Sequence, residues 1–94
     1  MERFAAPSAS GPAANYHPPV KRSVEIAGHK TSVSLEPLFW DMLKMAAALE
    51  SVPLNALIAR IDAERLGAPT PPGLASAIRV WLASRLCSPP DPSG

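Results

Sequence analysis

The sequence predicts a mostly α-helical domain with a short β ribbon, and three observations carry that expectation. Apolar and polar residues alternate between Lys21 and Leu35, apolar residues recur at helical spacing in three later segments, and prolines separate those segments. The 12 prolines of the 94 residues also confine packing to the middle of the chain. Residues 1–20 and 87–94 are rich in Pro, Ala, Ser and Gly and have no apolar periodicity. Such segments cannot bury enough surface to offset their ordering entropy, so they are expected to be a disordered arm and a disordered tail. A single domain over residues 21–86 remains, roughly 65 residues, a size at which a lone core is marginal and oligomers are common.

The strand region has two runs. Ser23-Val24-Glu25-Ile26 alternates, Ala27-Gly28-His29 punctuates, and Lys30-Thr31-Ser32-Val33-Ser34-Leu35 alternates again. Thr31, Val33 and Leu35 share one face; Lys30, Ser32 and Ser34 share the other. The first run either folds back on the second as a hairpin around Gly28 or extends away from it. Pro37 then opens a helix where a missing N–H does no harm. Phe39, Leu43, Ala46 and Leu49 form its apolar face, widened by Met42 and Ala47, and Asp41 is expected in its first turn. Trp40, which cannot share the direction of Phe39, is expected either to pack in a core-like way at a dimer interface or to be a partially exposed contact. Glu50-Ser51-Val52-Pro53 breaks that helix, and a second one follows with Leu54, Leu57, Ile58 and Ile61 as its buried stripe. A loop over Gly67–Gly73 leads to a third helix near Leu74–Leu86, with Leu74, Ile78, Trp81 and Leu82 on one stripe and Arg79 and Arg85 off it.

Nine basic and eight acidic residues give a net charge of +1, so no overall field marks a nucleic-acid or membrane partner. One cysteine, Cys87, excludes an internal disulfide framework and fits a reducing compartment. No apolar run reaches membrane-spanning length and the start lacks a signal-peptide pattern, which points to a cytoplasmic protein. His17, His29 and Cys87 have no metal-ligand spacing, and no glycine-rich phosphate loop is present. Neither an enzyme nor a cofactor is expected. A strand or hairpin beside three short helices leaves backbone groups and apolar stripes without partners. Pairing the strand with its copy from a second chain satisfies both, so a homodimer with two-fold symmetry is expected.

The strings Lys21-Arg22-Ser23-Val24, Gly28-His29-Lys30-Thr31-Ser32, Leu35-Glu36-Pro37, Phe39-Trp40, Ile61-Asp62 and Ala75-Ser76-Ala77-Ile78-Arg79 carry a resemblance. Over about residues 20–86 the chain is similar to a small bacterial subfamily of the ribbon-helix-helix DNA-binding proteins. The resemblance implies a ribbon-helix-helix homodimer with an extra C-terminal helix, whose β ribbon enters the major groove of double-stranded DNA and whose function is transcriptional regulation. On that reading Lys30, Ser32 and Ser34 contact bases, while Lys21, Arg22 and His29 contact phosphates. The dimer core would be Val33, Leu35, Phe39, Leu43, Leu57, Ile58 and Ile61. The family also anchors a phosphate at the start of its second helix, usually with Ser or Thr where this chain carries Pro53. Proline supplies neither hydroxyl nor N–H, which leaves the amides of Leu54 and Asn55, with Ser51 as a candidate cap. The alternative is a dimeric interaction module of the same fold, antitoxin-like or an adaptor, that binds a protein through its third helix or its arms.

Overall fold

The computed structural model describes residues 16–86. The expected disorder of the arm before residue 16 and of the tail from residue 87 lies outside the described residues. The elements are β1 (Val20–Ile26), β2 (His29–Leu35), α1 (Pro37–Leu49), α2 (Leu54–Leu66) and α3 (Leu74–Leu86). The strands form a two-stranded antiparallel sheet, with Ile26 opposite His29, Val24 opposite Thr31 and Val20 opposite Leu35. The two alternatives for the first run are thereby resolved in favour of the hairpin. The second strand pairs with β1 along one edge, and its other edge has no strand partner among the described residues.

The turn explains the register. Ala27 and Gly28 both have positive φ, +51° and +83°. This is the two-residue turn whose twist matches that of the flanking strands. Glycine adopts such a φ freely, whereas alanine there carries a steric cost of about 1–2 kcal/mol. A two-residue turn fixes which residues face each other, and period-two alternation does the rest. Val24, Ile26, Val33 and Leu35 are buried on the inner face, against the helices.

Three helices complete the core. α1 contributes Trp40, Leu43, Ala46 and Ala47; α2 contributes Leu57, Ile58 and Ile61; α3 contributes Ala77, Ile78 and Leu82. The α1 face is turned relative to the expected one. Trp40 is 1% exposed, Phe39 is only partly buried, and Leu49 is 77% exposed. The indole explains the rotation: it fills the space under the hairpin, and its Nε1–H donates to the Val20 carbonyl at 2.9 Å. That bond satisfies the one polar atom of a buried tryptophan, so the larger ring takes the interior position.

Helix ends show two further corrections. α1 begins at Pro37, and the amides of Phe39 and Trp40 donate to the Glu36 carbonyl. Asp41 therefore lies beyond the first turn. Ser51 does not cap α2, which starts after Pro53 without a side-chain cap. Instead Ser51 closes α1: its φ is +56°, its N–H donates to Ala48 O, and the Val52 N–H donates to Ala47 O. This paired arrangement is the Schellman ending usually given to glycine. The loop before α3 is tied by Arg65, which pairs with Asp62 at 2.8 Å and donates to the Pro72 carbonyl. No single helix among the described residues is long and apolar enough to cross a membrane.

Candidate nucleic-acid interface

The face of the hairpin turned away from the helices carries Lys21, Ser23 and Glu25 from β1 and Lys30, Ser32 and Ser34 from β2. Register sets Lys21 opposite Ser34, Ser23 opposite Ser32 and Glu25 opposite Lys30. All are exposed except Ser34, which is partly buried. The three residues expected to contact bases are thus brought together on one strand, and the hairpin adds three more beside them.

The residues expected at phosphates are dispersed. Lys21 shares the outer face, but Arg22, one position on, belongs to the inner one. Its guanidinium stacks over the Trp40 ring, 5.4 Å from the centroid. His29, opposite Ile26 at the turn, also takes the inner parity but is exposed. At the start of α2 the first i→i−4 bond runs from the Leu57 N–H to the Pro53 carbonyl at 3.1 Å. The amides of Leu54 and Asn55 precede that bond, as orphan donors at any helix start do. The Leu54 side chain packs against the core, and Asn55 is exposed.

Charge is distributed unequally between the two parts of the molecule. From Glu36 to Leu86 five basic residues face five acidic ones. Every arginine of that region is in an ion pair: Arg60 and Arg85 with Glu50 at 2.6 and 3.1 Å, Arg65 with Asp62, and Arg79 with Glu36 at 3.0 Å. Residues 20–35 instead hold Lys21, Arg22 and Lys30 against Glu25 alone. Hydrogen bonds from its own backbone amide and from Arg79 hold the Glu36 carboxyl below its ordinary range. The bond from Arg60, reinforced by Arg85, does the same for Glu50. Arg79 also lies over Phe39 and Arg85 over Trp81, at 5.7 and 4.7 Å. These two arginines, off the apolar stripe as expected, tie α3 to the rest of the chain.

Sequence reasoning missed the outward role of β1, although the signal was present. A two-residue Ala27-Gly28 turn places Glu25 opposite Lys30 and so fixes the whole outer set. No group of three or more His, Cys, Asp or Glu positioned for a metal ion occurs among the described residues.

A two-stranded ribbon, two helices and a further helix packed on them define a small ribbon-helix-helix architecture. A family model described as a ribbon-helix-helix domain matches residues 19–86, and the chain belongs to that family. No curated protein and no solved structure gives a match. Domains of this family are generally non-enzymatic, typically homodimerise, and typically serve as DNA-binding transcription regulators or antitoxins.

Proposed function

We propose that this protein is a homodimeric DNA-binding regulator that inserts an antiparallel β ribbon into the major groove, with the outer face of β2 toward the bases. The observation that carries the reading is the location of the unbalanced charge. Charges cancel across the helices, and the excess of cations lies on the hairpin. Its outer face offers six polar or charged side chains to a partner. A two-stranded ribbon suits a groove about 12 Å wide, since paired strands lie about 5 Å apart. Lys30, Ser32 and Ser34 are the base contacts of this reading, with Lys21 and the helix-start amides of Leu54 and Asn55 at phosphates. Met45, Leu49 and Leu86, at 65%, 77% and 77% exposure, leave an apolar face available to a second copy. Regulation of transcription in a bacterial cytoplasm fits this reading.

A salt titration of binding to random duplex DNA tests it. Affinity should fall linearly on a log–log scale, with a slope of about −0.9 per phosphate neutralised. A protein without measurable binding at low ionic strength would refute the reading. The alternative, a protein-binding module, draws on the open groove of about 410 Å³ between α1 and α3 lined by Met42, Met45, Leu49, Leu82 and Leu86. Sedimentation separates the two uses of that face: a dimer covers it, and a folded monomer at micromolar concentration leaves it for another protein.

A further inference from the structure

We infer that the groove between α2 and α3 is a site for a polyproline-II segment, and that its occupant is the chain's own tail, Pro89-Pro90-Asp91-Pro92. The groove measures about 330 Å³, with Pro72, Val80, Trp81 and Ser84 among its lining. Trp81 is half-buried and Val80 is 64% exposed, so an aromatic ring and an aliphatic side chain are open side by side on α3. Helical periodicity brings the tail to this stripe. Ala77, Val80, Trp81 and Ser84 line the groove at spacings of three and four, and the next positions of that series are Cys87 and Ser88. The chain beyond Leu86 therefore leaves α3 on the groove side.

Pro89 has no N–H with which to continue a helix, and it holds Ser88 in an extended conformation. The Pro-Pro-Asp-Pro that follows favours the polyproline-II form before any contact is made, so little conformational entropy is lost on docking. That form has three residues per turn, which sets Pro89 and Pro92 on one face about 9 Å apart. From Ala77 to Ser84 the helix rises about 10 Å. A tail running back along α3 thus lays both proline rings over the stripe that holds Trp81, in the way Pro-x-x-Pro segments lie in aromatic grooves. By itself the tail has no apolar periodicity to order it, and the groove provides the surface it lacks. Charge agrees as well. Asp91 is the one charged side chain of residues 87–94. Glu64 and Arg65 balance in the lining, while Arg85, stacked on Trp81 at 4.7 Å, shares the carboxylate of Glu50 with Arg60 and so leaves one cation in surplus.

Proton–carbon NMR spectra of the full chain test this. An indole shifts protons seated on its face upfield, so the ring signals of Pro89 and Pro92 should lie outside the range of an unfolded peptide. Pro89→Ser and Pro92→Ser should each return the remaining partner to that range and move the indole N–H signal of Trp81. Pro90→Ser, on another side of the turn, should change both signals much less. All three substitutions lie outside the core, so the domain stays folded in each. Tail prolines with unfolded-peptide shifts in the wild type would overturn the inference. Equal effects from the three substitutions would overturn the pairing of Pro89 and Pro92 on one face. An upfield shift that fades on dilution would place the tail of a second copy in the groove and overturn its assignment to the chain's own tail.

Discussion

The hairpin and the helical layer use charge in opposite ways. In the helices each arginine is spent on a carboxylate of the same chain, and Arg79 and Arg85 tie α3 down through Glu36 and Glu50. In the hairpin the charged residues of the outer face stand beside serines, with one acid among them. The lesson is that a near-neutral total can hide a local surplus. A net charge of +1 says little about a partner until the internal pairs are set aside.

The largest effect should come from cutting the two regions apart. Trp40→Ala removes the ring beneath the hairpin and its bond to Val20, and should cost about 3–5 kcal/mol in chemical denaturation. Trp40→Phe keeps most of the packing and loses mainly the hydrogen bond, so it should cost clearly less. A small loss for Trp40→Ala would show that hairpin and helices are held by something else.

That link was only partly legible beforehand. The alternation of Lys30 to Leu35 was sufficient to separate Ser32 from Val33, because the period of a strand is rigid. The apolar face of α1 was less determined, since Phe39 and Trp40 are adjacent and both large. A hydrogen bond to a carbonyl 20 residues earlier decides between them, and no local pattern contains it. Of the candidate site, Lys30, Ser32 and Ser34 were readable from parity alone. Arg22 stands apart: it is exposed, but its parity sets it on the inner face with its guanidinium over Trp40, a placement its basic character does not signal.

Next in size are effects on binding. Lys30→Ala should lose about 1–3 kcal/mol on a preferred site and relax its selectivity, measured by titration against matched and mismatched duplexes. Arg22→Ala tests the stacked placement. It should lower stability by about 0.5–1 kcal/mol and leave the salt slope near that of the wild type. A much shallower slope would return Arg22 to the phosphates.

Backbone strain gives smaller, opposite shifts. Ala27→Gly and Ser51→Gly relieve positive φ at the hairpin turn and at the end of α1. Each gain is expected to be about 1 kcal/mol or less, because glycine also loses more chain entropy on folding. Thermal melts of the two single variants would compare the two regions directly.

The smallest effect is that of pH, since the pairs involved are exposed. Glu36 and Glu50 are both held below their usual value of 4.5. Each binds its proton more weakly in the folded chain than in the unfolded one. Their contribution is present above about pH 4.5 and is lost as pH falls through the lower folded values. Glu50→Gln should make the acid side of the stability profile flatter, and an unchanged profile would mean that the α3 clasp adds nothing.

The hairpin's parity has a consequence for how such a protein changes over generations. Inward-facing and outward-facing side chains occupy alternate positions of the two strands, Val20–Ile26 and His29–Leu35. Point substitutions at Lys21, Ser23, Glu25, Lys30, Ser32 or Ser34 therefore change the outer surface while the buried set stays intact. A one-residue insertion or deletion within either strand exchanges the two sets beyond it, presenting valines and leucine to solvent and lysines to the core. The outer surface of this scaffold is open to drift by replacement and closed to change in length.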